Sequence, residues 1–292
     1  IMKTRPKLYI NTNHEKNIWH ILQKEIFEIE RLISNGIKLD HMLITNFDPN
    51  DKRDLWRMNI LKYVIHNIYI TNDKSLIEYI KILPEQCLYF EPVLLQSNIW
   101  YNCWEDYHYP VSQNMISFFE ILKVKMNIEC NLNHIKIINR RDSRQVLDIN
   151  TLEPIEKTFN IQCAYFEDLN FQEQVDFVKD AKVLIAPHGA GLTNLIFTHP
   201  NCLICEISLR KYWFCNPICS LHKNNLIHYS NNCNSNIPYS KYDFKNICRL
   251  LNRNYIEIIN DGFVPNPNAS SLLDHKILLN PNKLVKLIHN QT

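Results

Sequence analysis

From residue 134 onward the chain repeats one pattern, in which a short apolar run and a polar break are followed by a segment with apolar residues at helical spacing. The runs fall at 135–138, 161–165, 183–186, 203–207 and 226–229. Strands separated by helices join side by side through crossovers, which predicts a parallel sheet with helices on both faces. Residues 281–288 then read as a closing helix with Leu284, Leu287 and Ile288 on one side. The first half carries the same α/β rhythm. Trp19, Leu22, Ile26, Ile29 and Leu32 recur at helical spacing, and His41-Met42-Leu43-Ile44 forms a short strand-like run. Helices are expected near 53–66, 74–82 and 112–125, with a strand at 86–90. Polar residues at 131–133 break the pattern, so the expected domains are 1–132 and 133–292.

Glycine is scarce. Only Gly36, Gly189, Gly191 and Gly262 occur, where an average chain of this length would hold about 20. Two of the four fall in one turn, Ala186-Pro187-His188-Gly189-Ala190-Gly191-Leu192-Thr193-Asn194, which follows an apolar strand and opens a helix. Free amides and the dipole at a helix start favour an anion, and glycine lets the backbone come close to it. A nucleotide diphosphate fits this pattern. The alternative is that the two glycines only permit a tight turn, with His188 packed or capping. No Gly-Lys-Ser/Thr follows, and the dinucleotide fingerprint is incomplete, which argues against a P-loop kinase or a dehydrogenase.

Composition narrows the classes further. Lys plus Arg is 32 against 30 Asp plus Glu, a balance of +2, too small a field to imply nucleic acid or an anionic membrane as partner. No run approaches the ~20 apolar residues of a membrane span. The opening Ile1-Met2-Lys3-Thr4-Arg5 lacks the apolar stretch of a signal peptide. An initial Ile rather than Met suggests a fragment or tag remnant, so localisation stays open: cytoplasmic if the chain is complete, secretory if an anchor was removed. Of the ten cysteines, Cys202/Cys205 and Cys215/Cys219 are close pairs. Cys202 and Cys205 fall in a strand-like run that points their sulfurs to opposite faces, so small buried hydrophobes are a better reading than zinc ligands. The Asn-rich stretch 231–236 reads as a surface loop, and the sequons at Asn268 and Asn290 decide nothing.

The turn has company. Upstream lies Ile137-Ile138-Asn139-Arg140-Arg141-Asp142-Ser143-Arg144, then Phe166-Glu167-Asp168-Leu169 and Phe171-Gln172-Glu173-Gln174-Val175, and beyond the turn a strand carries Glu206. In this order and spacing the blocks resemble the family 61 glycosyltransferases, which include protein O-linked N-acetylglucosaminyltransferases and plant xylan transferases. The resemblance implies a GT-B-like fold of two Rossmann-like domains facing a cleft, the C-terminal one holding the donor and the N-terminal one facing the acceptor. It also implies an inverting, metal-independent enzyme that moves a sugar, GlcNAc or a pentose, from a UDP-sugar to a hydroxyl of a glycan or protein acceptor. The residues agree in one respect: no Asp-x-Asp signature is present to hold a divalent ion, so no metal cofactor is expected. Arginines would then neutralise the leaving diphosphate.

Arg140, Arg141 and Arg144 follow a strand, at the edge of a parallel sheet where ligands of open α/β folds bind. The alternative is a solvated cluster paired with Asp142 and Asp148. Together with His188, Gly189, Ala190, Gly191, Leu192, Thr193, Asn194 and Glu206, the arginines make the expected donor site. Glu206 is read as an acceptor for ribose hydroxyls or a loop cap. Thr193 and Asn194 are read as side-chain donors to the nucleotide or caps of their own helix.

An inverting transfer needs one base for the acceptor hydroxyl. Asn17-Ile18-Trp19-His20 resembles the family's Asn-x-Tyr/Trp-His element, in which an acidic residue follows one helical turn later. Lys24 stands at that position here, with Glu25 and Glu28 nearby. His20 is the first candidate base and Glu25 the second, with Asp40, Glu105, His108 and His188 as others. Trp100, Trp104, Tyr107 and Tyr109 form an aromatic patch that would suit a sugar, a peptide or a core. The Lys24 departure keeps a second class open, a catalytically inactive nucleotide-sugar-binding or scaffold protein. A phosphate-ester hydrolase, the third class, lacks a metal constellation.

Overall fold

The computed structural model describes residues 7–11, 17–45, 47–73, 91–94, 113–141, 144–146, 157–208, 243–264 and 276–290. The chain divides into two compact units, Ile1–Glu129 and Cys130–Thr292. The expected elements at 74–82, 86–90 and 226–229 lie outside the described residues. So do the aromatic patch, Glu105, His108, Asp142, Asp148 and the loop 231–236.

The first unit holds a parallel sheet of four strands: β1 (Lys7–Asn11), β2 (His41–Thr45), β3 (Asn67–Thr71) and β4 (Glu91–Leu94), in the order β3-β2-β1-β4. Central β2 is buried almost throughout, whereas Tyr69 and Ile70 of edge strand β3 stay exposed. Between β1 and β2 the chain runs through helical segments at Ile18–Ile21, Leu22–Ile26 and Phe27–Ser34, the middle one a π turn. Leu22, Ile26, Ile29 and Leu32 are all buried, as their spacing predicts. The helix Lys52–Val64 starts at Asp51, whose side chain accepts from the Arg53 amide, and it buries Trp56, Ile60 and Leu61. The helix Gln113–Lys125 brings Phe119 edge-on to Phe27.

The second unit is a five-stranded parallel sheet of β5 (His134–Asn139), β6 (Ile161–Tyr165), β7 (Ala181–Pro187), β8 (Leu203–Ser208) and β9 (Asn254–Ile259), in the order β6-β5-β7-β8-β9. Strand β8 is buried along its whole length and β7 nearly so, as expected where helices cover both faces. Ile135, Ile137, Val183, Ile185, Cys205 and Ile207 form the centre of one core, closed by Leu284 and Ile288 of the helix Pro281–His289. A short antiparallel pair, β10 (Gly262–Val264) and β11 (Lys276–Leu278), follows β9. The mixed α/β class with parallel sheets is therefore observed and is Rossmann-like. Strand β9 was not foreseen, although Asn254-Tyr255-Ile256-Glu257-Ile258-Ile259 has the β-branched and aromatic content of a strand. The segment after the glycine turn, Ala190–Phe197, is a 3-10 helix. Leu192 through Phe197 are all buried, so tertiary packing sets its winding.

Candidate active site

In the second unit the strand order reverses between β5 and β7, since β6 lies on one side of β5 and β7 on the other. Open α/β sheets bind ligands at such a point, outside the carboxyl ends of the strands. Arg140 directly follows β5 and His188 directly follows β7. Both loops therefore start on that crevice.

They meet at Gly189. Its backbone has φ 154° and ψ 177°, a conformation that glycine alone adopts readily. A Cβ there would stand 2.9 Å from Arg144 Nη1 and 3.0 Å from Arg140 Nη1, so the missing side chain makes room for two guanidinium groups. Arg144 reaches the turn from a left-handed backbone, φ 58°, and its Nη1 donates to the His188 carbonyl oxygen at 3.0 Å. Such strain persists where surrounding contacts over-determine it. Here they are visible: the buried Asn139 side chain accepts from the Val146 amide at 3.0 Å, and the Ile277 amide donates to the Gln145 carbonyl at 2.7 Å. Arg140 Nε lies 3.5 Å from Glu167 Oε1. Like charges brought together over backbone that a helix start already makes positive form a site for an anion.

The far side of the turn is tied to β8 and β9. The His188 amide donates to the Ile207 carbonyl at 2.9 Å, and His188 Nδ1 lies 2.5 Å from Glu206 Oε1. Tyr255 Oη donates to Glu206 Oε2 at 2.6 Å, and the Phe244 ring meets the imidazole edge-to-face at 5.5 Å. Burial, with Glu206 adding to it, holds the Tyr255 phenol well above its ordinary pKa. Burial likewise pushes the neighbouring Cys248 thiol up, again with a contribution from Glu206. Both groups stay protonated at neutral pH.

Beneath the turn, Asn194 Nδ2 donates to Gln174 Oε1 and to the Gly191 carbonyl, both at 3.2 Å. Gln174 Nε2 in turn donates to the carbonyls of Phe166 and Leu169. The helix carrying Gln174, Phe171–Val178, begins at a capping box of Asn170 and Glu173. A Cβ on Gly191 would meet Ile138 Cγ2 at 3.3 Å, so this glycine allows close packing of the 3-10 helix on β5.

The expected site residues separate accordingly. Arg140, Arg144, His188 and Gly189 come together, with Ala190 and Gly191 continuing the turn. Arg141 is exposed and turned elsewhere, bonded to Asp168 and stacked 3.8 Å from the centre of the Tyr165 ring. Leu192, Thr193 and Asn194 are wholly buried. The packing that winds the 3-10 helix takes both Thr193 and Asn194 inside. Glu206 is also buried, engaged with His188 and Tyr255.

In the first unit, His20 belongs to the helical turn Ile18–Ile21. Glu25 sits in the π turn and is buried with Arg57, whose Nε donates to it at 2.8 Å. This buried ion pair ties the π turn to the helix Lys52–Val64. Asp40 is exposed, and its carbonyl accepts from the Asn67 amide. Arg57, Asn139, Gln174 and Tyr255 were not foreseen. Gln174 had a signal, its place in the block after Phe171, whereas Tyr255 stands 49 residues from its partner and had none.

Among the described residues no helix is long and apolar enough to cross a membrane, and no group of three or more His, Cys, Asp or Glu is disposed to hold a metal ion. A search of curated proteins finds no match. The family model described as Glycosyltransferase 61 matches residues 7–205, more than half of the chain and inclusive of the arginine block, the glycine turn and the first strands of both sheets. This chain belongs to the family 61 glycosyltransferases and is a glycosyltransferase.

Proposed function

We propose that the protein transfers a sugar from a UDP-sugar to a hydroxyl of a glycan or protein, with inversion and without a metal ion. Its second unit carries the donor, and its first unit serves the acceptor. One observation carries the donor half: Arg140 and Arg144 converge on Gly189 at the switch point of a parallel sheet. Two guanidinium groups and the leading amides of a helical turn match a diphosphate in charge and geometry. Charge that develops on the leaving diphosphate would be met by donors already in place. This leaves a divalent ion without a necessary role. His20, on the first helix of the other unit, is the proposed base. GlcNAc or a pentose is the proposed sugar.

The test is a thermal melt with nucleotides. UDP is expected to raise the melting temperature, and Arg144→Ala to abolish the rise. A melting temperature that ignores UDP, GDP and CMP alike would overturn the donor assignment. UDP release from UDP-sugars should survive EDTA and be lost in His20→Ala.

A second reading is favoured by the burial of Glu25 against Arg57 beside Lys24: a protein that binds the nucleotide sugar without transferring it. UDP binding with no release from any donor, in the presence of glycan and peptide acceptors, would support it.

A further inference from the structure

Among the described residues other than glycine, φ is positive at Asn127, Asn160 and Asn252, and at Arg144. Asparagine enters that region readily because its short polar side chain bonds locally, whereas arginine gains nothing from it. The conformation of Arg144 is therefore imposed by what surrounds it. The chain is anchored just beyond it, from two sides. On one side Asn139, the last residue of β5, accepts through its side chain from the Val146 amide at 3.0 Å, seven residues along the chain. A backbone amide only donates, so the atom facing it is the Asn139 oxygen. On the other side the Ile277 amide of β11 donates to the Gln145 carbonyl at 2.7 Å, and Val146 and Ile277 form a parallel bridge. Asn139 and Ile277 are wholly buried and Val146 nearly so, which keeps water from competing for these bonds. Arg140 and Arg144 both fall between Asn139 and Val146 in the chain.

We propose that Asn139 is a positioning residue for the diphosphate: by fixing Val146 it holds Arg144 in its left-handed conformation, with Nη1 on the His188 carbonyl and the guanidinium over Gly189; this rests on the donor assignment above. The Asn139 oxygen is engaged with Val146, so its effect runs through the backbone to Arg144. A change of φ at residue 144 swings its side chain relative to the chain before it, and relaxation to an ordinary negative value takes the guanidinium off the turn. β11 is the second anchor. It lies beyond residue 205, where the family match ends, so the C-terminal part of the chain helps to build the anion site.

UDP and pyrophosphate share the diphosphate and serve as probes in calorimetric titrations. Asn139→Leu keeps the size of the side chain and removes the acceptor. It is expected to weaken both probes alike, by about threefold to tenfold, the scale of one hydrogen bond, in a chain that stays folded by near-ultraviolet circular dichroism. Nitrogen-15 NMR of labelled arginine reads Arg144 itself. Its side-chain Nε–H signal, identified by its loss in Arg144→Ala, should shift in Asn139→Leu. Unchanged affinity for either probe, or weakened affinity with the Arg144 signal unmoved, would overturn the positioning role and leave the donor assignment standing. A wild-type chain that binds neither probe overturns the donor assignment and this inference with it. Asn139→Ser, whose hydroxyl is too short to reach the Val146 amide, keeps the comparison open if Asn139→Leu does not fold.

Discussion

Arg144 lies directly over Gly189: its Nη1 donates to the carbonyl of the preceding His188 at 3.0 Å and would be 2.9 Å from a Cβ at position 189. Gly189→Ala therefore meets two obstacles, a backbone at φ 154° and two guanidinium groups in the space of the new methyl. The expected cost is about 1–3 kcal/mol of stability, together with loss of the melting-temperature rise caused by UDP. Gly191→Ala should be milder, because its φ is not positive and its nearest neighbour is the end of the Ile138 side chain at 3.3 Å. Urea unfolding of the two variants, each with and without UDP, checks the order.

The pair of Glu25 and Arg57 is buried on both sides. Removing one partner leaves a charge in the core, so Glu25→Ala is expected to cost about 3–5 kcal/mol, and the double variant Glu25→Leu/Arg57→Met to recover most of it. If Glu25 holds the fold rather than serving as base, the recovered double variant releases UDP at a rate near that of the wild type. A folded double variant with no activity would return Glu25 to the chemistry.

Gln174 links three segments, through Asn194 and the carbonyls of Phe166 and Leu169. Gln174→Ala should lower stability by about 1–3 kcal/mol, since it strands partly buried polar partners. UDP affinity should fall as well, because the 3-10 helix beneath the turn loses its tie to the helix Phe171–Val178. Denaturant titration and calorimetry read the two effects separately.

Alkaline pH should destabilise the protein. Burial raises the thiol of Cys202 to about 12 and lifts those of Cys205 and Cys248, while Tyr255 is raised by burial and by Glu206. In each case the folded state holds its proton more tightly than the unfolded chain does. The stabilisation is then complete below the unfolded value and lost as pH rises through the folded one. Unfolding free energy should start to decline near pH 9 from the thiols, with the phenol adding to the decline above about pH 10. The stability advantage of the wild type over Tyr255→Phe should shrink over that second interval, as measured by urea midpoints from pH 7 to 11.

How much of this was legible before folding can be told from single residues. The strands 135–138, 161–165, 183–186 and 203–207 correspond to β5, β6, β7 and β8 within one or two residues at either end. Their apolar runs are long enough, and the intervening helices periodic enough, for local pattern to settle element type. The closing helix was equally plain, with Asn280 capping and Pro281 in the first turn. That Arg140 and His188 fall on one edge of the sheet was legible because each directly follows a parallel strand. Local pattern fails where a residue's role depends on a partner far along the chain. Nothing beside Glu25 announces that Arg57, 32 residues on, is packed against it. Arg141 looked equivalent to its neighbours, yet the bend after β5 turns it toward Asp168 and Tyr165.

The sequence by itself determined the α/β class, the glycine turn between strand and helix, and the family, because those depend on periodicity, backbone freedom and motif order over short spans. Only the tertiary structure decided which of three arginines face the turn, that Thr193 and Asn194 lie inside, and that Glu206 belongs to His188 and Tyr255. These depend on which strands become neighbours and on what is left exposed once they pack. The strand order β6-β5-β7-β8-β9 sets Arg140 and His188 on one crevice and brings Tyr255 to Glu206, a juxtaposition that no local stretch of the chain encodes.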